Sequence, residues 1–85
     1  MAKTMTNPPH PGELVLHDVI NGTGRTVAEA ARELGVRRST LSDLCHGKAR
    51  LEAPMALKLE QAYGVSAELL LHAQVAHDLA RLRAA

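Results

Sequence analysis

Residues 26–47, TVAEAARELGVRRSTLSDLCHG, read as two short helices joined by a tight turn. Thr26 and Glu29 have the spacing of a capping box, in which the threonine oxygen accepts from the third helical N–H and the carboxylate reaches back to the cap N–H. Ala30, Ala31 and Leu34 then share one face of the first helix, a face small enough to let a neighbour approach closely. Leu34-Gly35-Val36 ends that helix, because glycine takes the left-handed conformation just past a helix C-terminus. A second helix starts at about Arg37, turns Leu41 and Leu44 inward three residues apart, and stops at His46-Gly47. Two helices crossing over a short glycine-containing turn form the helix-turn-helix unit, whose second helix is shaped to enter a DNA major groove.

The outer face of that second helix carries Arg37, Arg38, Ser39, Ser42, Asp43 and His46, all hydrogen-bonding groups. Arginine suits the edge of guanine, and serine is short enough to serve a base or a phosphate. The alternative is an ordinary αα-hairpin with a solvated polar face. Charge distribution favours the DNA reading. The 85-residue chain has a net charge of only +1, yet residues 25–50 hold six basic side chains against three acidic ones, while the remainder holds four against six. Positive charge gathered around one helix is what phosphate neutralisation requires.

Aromatic residues make up 1% of the chain, with Tyr63 alone, so the core has to be built from Leu, Val, Ala and Met. No alternating β-branched run appears, and the class is all-α. Eighty-five residues suffice for one domain with a modest core. Cys45 is the single cysteine, which excludes an intramolecular disulfide and any C-x-x-C site and fits a reduced, cytoplasmic setting. No apolar stretch is long enough to span a membrane, and residues 1–9 carry no signal-peptide apolar region.

In chain order, residues 1–9 form a short polar arm, and residues 10–85 the single domain. Pro11 sits at the start of a first helix, with Glu13 complementing its dipole, and that helix runs to about Asn21 before an Asn-Gly-Thr-Gly stop. After the basic Lys48-Ala49-Arg50 loop, Leu51 tucks into the core. A fourth helix spans about Ala53–Tyr63, with Pro54 in its first turn and an apolar stripe of Met55, Ala56, Leu59, Ala62 and Tyr63. Ser66 caps a fifth helix over about 67–83. That helix is apolar on two sides: Leu69, Ala73, Ala76 and Ala80 form one stripe, and Leu71, Val75, Leu79 and Leu82 the other. One stripe packs on the domain, and the other, Leu71, Val75, Leu79 and Leu82, seeks a partner, with a twofold homodimer the simplest.

The five histidines do not make a metal site. His72 and His77 are five residues apart, whereas zinc-binding helices place paired histidines four apart on one face. No nucleophile–base pair, glycine-rich phosphate loop or pair of inward carboxylates stands out, so neither an enzyme, a metal nor a cofactor is expected.

With these residues in view, the chain resembles the HigA-type antitoxins of the XRE, or λ-repressor-like, helix-turn-helix class. The resemblance covers about residues 8–80 and is carried by HPGELV, VAEAARELGVRRSTLSDLCHGKARL, MALKLEQAYGVSAELLL and QVAHDL. It implies a five-helix domain that binds a palindromic operator as a dimer, represses its own operon and neutralises a small RelE-like mRNA endonuclease toxin (HigB). Carried over by position, it implies base contacts from Arg37, Arg38, Ser39, Ser42 and Asp43. It further implies phosphate contacts from Thr26, Thr40, His46 and Lys48. The chain departs from the family's usual pattern at Arg25, where an apolar residue is common, and near Leu70, where an aromatic is usual. A stand-alone phage-type repressor without a toxin, or a module binding protein alone, are the alternatives.

Overall fold

Position 12 decides how the helices meet. A Cβ on Gly12 would stand 1.7 Å from the Leu44 carbonyl oxygen, so the backbone of the first helix rests directly on the end of the third. The computed structural model describes residues 8–85. Helix α1 occupies residues 11–23, α2 Val27–Leu34, α3 Arg38–Cys45, α4 Ala53–Tyr63 and α5 Ala67–Ala84, with no strand among the described residues. The fold is the expected all-α, five-helix arrangement. The arm expected over residues 1–9 lies outside the described residues except for Pro8 and Pro9.

His10, Pro11 and Gly12 start α1 as one device. The extended His10 is the N-cap and its Nδ1 accepts the Gly12 N–H at 2.9 Å, while Pro11 occupies the first turn, where a missing N–H costs nothing. The helix then changes pitch. Pro11–Leu14 is α-helical, Val15–Ile20 is a π-helix, and Asn21–Thr23 is a 3₁₀ turn. In an α-helix Ile20 would point about 140° away from Val15. Bonds of the i→i+5 type swing it back, so that Val15, Val19 and Ile20 are all buried. The helix therefore runs two residues beyond the Asn21 expected from the sequence. Thr23 closes it by donating its hydroxyl to the Val19 carbonyl at 2.6 Å.

The other helices follow their local signals. Thr26 and Glu29 form the full capping box, and Gly35 at φ 72° takes the left-handed turn after α2. Ala30, Ala31 and Leu34 face Leu41 and Leu44 of α3, and Leu51 is buried beside them. In α4, Ala56 and Leu59 are buried and Met55 and Tyr63 flank them, but Ala62 is exposed rather than part of the stripe.

On α5 the expected choice between two stripes is corrected. The residues buried against the domain are Leu70 and Gln74, which belong to neither stripe. At about 100° per residue the inward face lies between the two stripes and leaves them on its flanks. Leu69, expected in the packing stripe, is 67% exposed.

The ring of His10 lies behind α3. It is buried, 3.8 Å from where a Cβ of Gly47 would stand, and its centroid is 5.1 Å from that of His77 in an edge-on arrangement. Burial, and next the neighbouring His77, push His10 below its ordinary value of 6.5, against the opposing pull of its hydrogen bond with the Ala49 backbone and the carboxylates of Asp78 and Glu13. Cys45 is buried too, and burial pushes its thiol up, which keeps it protonated.

Gly12→Ala is expected to destabilise the domain by about 3 kcal/mol, because backbone must move to admit the methyl; urea unfolding measures it. His10 makes stability depend on pH. The folded state favours the neutral ring, so its contribution is complete above pH 6.5 and is lost as the pH falls from there through the depressed folded value. Between about pH 7.5 and about pH 5.5 the unfolding midpoint of the wild type falls more than that of His10→Asn, which keeps a capping oxygen and does not titrate.

Candidate nucleic-acid interface

Helix α3 is amphipathic in the way its sequence requires. Leu41, Leu44 and Cys45 hold it to the core, and Arg37, Arg38, Ser39, Thr40, Asp43 and His46 stand exposed, with Ser42 half-buried among them. Arg37 is the N-cap, and its guanidinium, which carries only donors, cannot accept the free N–H groups at the start of the helix.

Ser42 and His46 are tied to each other. Nδ1 of His46 lies 2.8 Å from the Ser42 carbonyl and 3.3 Å from its hydroxyl. A carbonyl only accepts, so Nδ1 carries the proton and Nε2 of the neutral ring is an acceptor. His46 therefore has a donor to offer an outside phosphate only as the imidazolium. Thr26 is better placed in this respect. Its oxygen accepts the Glu29 N–H at 3.1 Å, which leaves its hydroxyl hydrogen free to donate. Thr40 lines an apolar cleft of about 270 Å³ with Leu44, Ala49, Pro54 and Met55. Lys48 follows the left-handed Gly47, and its N–H donates to the Asp43 carbonyl at 2.8 Å. This bond folds the basic loop back against the end of α3.

The structure sorts the basic residues that the sequence only counts. Arg25 donates to Glu33 at 2.7 Å and lies 5.0 Å from the centre of the Tyr63 ring. Tyr63 donates its hydroxyl to the same carboxylate. That hydrogen bond, ahead of the ones from Arg25, holds Glu33 below the usual carboxylate range, while burial and then the Glu33 bond push Tyr63 up to about 12. Arg25 thus fills the usual apolar position by joining the loop before α2 to the end of α4. Arg50 is engaged as well, at 2.6 Å from Asp78 and 3.2 Å from Glu52. Arg37, Arg38 and Lys48 form no ion pair among the described residues. They are the unpaired cations of α3 and the loops at its two ends; Arg32, on α2, is the other exposed cation of residues 25–50 outside these ion pairs.

On α5, Val75, Leu79 and Leu82 are 51%, 40% and 72% exposed, whereas Leu71 is half-buried against the core. The part of the expected stripe that is open to a partner is therefore its distal end. Residues missed in the sequence reading also lie on α5. Gln74 and Asp78, one turn apart between the two apolar stripes, reach the loop beyond α3. Their signal was a polar pair on a face too short of leucine to look buried. Among the described residues no cluster of three or more metal-binding side chains occurs, and no helix is long and apolar enough to cross a membrane.

A polar helix held by its apolar side, joined to a capped helix through a left-handed glycine, defines the helix-turn-helix class of DNA-binding domains. The family model described as Helix-turn-helix matches residues 21–70. The chain is similar to virulence-associated protein A' of Dichelobacter nodosus, with 42% identity over 79 residues, 92% of this chain and 68% of that protein. It is also similar to antitoxin HigA-1 of Vibrio cholerae, with 38% identity over 79 residues, 93% of this chain and 74% of that protein. Among solved structures, Pseudomonas aeruginosa antitoxin HigA with the higBA promoter matches at a TM-score of 0.86 and 28% identity, over 92% of this chain and 85% of that one. The chain belongs to the XRE-type helix-turn-helix family, in its HigA-type antitoxin group, a family of DNA-binding regulators rather than enzymes.

Proposed function

We propose that residues 10–85 act in the cytoplasm as one operator-binding antitoxin domain that represses its own operon. In this reading α3 lies in the major groove, where Arg37, Arg38, Ser39, Ser42 and Asp43 face bases. Thr26, Thr40, Lys48 and, as the imidazolium, His46 face phosphates. The observation that carries the reading is the set of unpaired cations Arg37, Arg38 and Lys48 on the exposed side of a helix-turn-helix. The antitoxin solved with the higBA promoter shares that fold and supports it. Two copies pair through Val75, Leu79 and Leu82 of α5, which matches a palindromic site to a twofold protein. The toxin it neutralises is a small RelE-like mRNA endonuclease, in keeping with the chain's likeness to antitoxins.

Fluorescence anisotropy with a fragment of the chain's own promoter and with scrambled DNA, at two salt concentrations, tests the reading. Preference for the promoter that persists at the higher salt is the expected result, and equal affinity for both DNAs overturns it. Arg38→Ala loses about 1–3 kcal/mol and relaxes specificity at one operator position. Lys48→Ala weakens binding to all sequences alike and lowers the salt slope by about 1. Leu79→Glu places a charge on the exposed face of α5, so sedimentation shows a monomer that still unfolds cooperatively, with a melting temperature that no longer rises with concentration; a dimer that survives it refutes the α5 interface.

A further inference from the structure

The loop between α3 and α4 is tied down on both sides. Toward α3, the Lys48 and Ala49 N–H groups donate to the Asp43 carbonyl at 2.8 and 3.3 Å. Toward α5, the buried Leu51 N–H donates to Oε1 of Gln74 at 2.7 Å. Gln74 is only 2% exposed and donates its own amide N–H to Oδ1 of Asp78 at 2.9 Å. Asp78 takes Arg50 on its other oxygen at 2.6 Å. The Arg50 hydrogen bond first, and the Gln74 bond second, hold Asp78 below the usual carboxylate range, so it is ionised in this cluster.

A buried N–H needs one acceptor, and Gln74 by itself supplies it for Leu51. The Asp78–Arg50 pair adds something else: it fixes a side chain two residues from Lys48, in the loop that borders the recognition helix. We propose that Asp78 is a positioning residue for DNA binding, which acts through Arg50 to hold Lys48 at a set place beside α3. The inference rests on the operator-binding reading and deepens it. Asp78 adjoins Leu79 on α5, and Arg50 lines one cleft with Arg81 and Leu82.

The test is a double-mutant cycle read by anisotropy over a salt series, with promoter and scrambled DNA, on the wild type, Lys48→Ala, Asp78→Ala and the double variant; urea unfolding of each checks the fold. Asp78→Ala is expected to weaken promoter binding by about fivefold to tenfold, and the double variant to be no weaker than the worse single one. Its salt slope falls by about 1, as it does when the Lys48 contact is lost, a change that lowered stability alone would not produce. Asp78→Glu restores part of both. If Asp78→Ala does not fold, Arg50→Ala cuts the same tether from the exposed side and takes its place in the cycle. Additive losses or an unchanged slope overturn the positioning role. A steeper slope with tighter binding to scrambled DNA also overturns it, since that is the mark of Arg50 released onto phosphates. A wild type that binds no DNA overturns the operator reading and this inference with it, whereas a Lys48→Ala variant that matches a promoter-binding wild type overturns this inference alone.

Discussion

The Leu44 carbonyl oxygen occupies the space a side chain at position 12 would need, and the packing of the domain is built around that contact. Because backbone meets backbone, the end of α3 is located by covalent geometry on both sides and not by adaptable side chains. The neighbouring residues serve the same junction. Pro11 dispenses with an N–H at the helix start, His10 caps the Gly12 N–H, and the His10 ring fills the space between Gly47 and His77. His77 in turn lies 3.0 Å from the Pro8 carbonyl, so α5 is drawn into the same junction. One glycine thus brings α1, the recognition-type helix and the partner-type helix to a common point.

A core with almost no aromatic volume imposes its own solution. Ala30 and Ala31 are buried almost completely, which is possible only if α2 lies close to its neighbours. The wide turn in α1 is the complement of this closeness, since it brings Ile20 to the buried side with Val15 and Val19. In a domain this small the area buried is limited, and buried polar groups have to be satisfied without exception. Gln74 meets that need: its amide enters the core to take the Leu51 N–H and leaves its other end on Asp78.

Electrostatics at the exposed face depends on which cations are already committed. Arg25 and Arg50 lie within the basic stretch, yet each is held by a carboxylate, Arg25 by Glu33 eight residues on and Arg50 by Asp78 of α5. The first pair ties the loop before α2 to the end of α2, where Tyr63 of α4 joins it, and the second ties the loop after α3 to α5, which makes them braces around the helix-turn-helix. Of the charge that remains, Arg32 lies on α2, and Arg37, Arg38 and Lys48 lie at one end of α3 and in the loop beyond its other end.

The helix-turn-helix was legible in the chain itself because each of its signals acts within four residues: the Thr26–Glu29 box, the left-handed Gly35, and Leu41 with Leu44 on one face. The exposed polar side of α3 followed from the same periodicity, which on α5 gave two apolar stripes without deciding which face turns inward. Tertiary structure alone decided the pitch of α1, the inward face of α5 and the partners of Arg25 and Arg50. The two apolar stripes of α5 gave no hint that a polar residue, Gln74, would be the one turned inward. Its place is set by the unpaired N–H of Leu51, 23 residues away. Local capping and periodicity are written in neighbouring residues, whereas the demand of a buried donor for an acceptor exists only once distant segments have met.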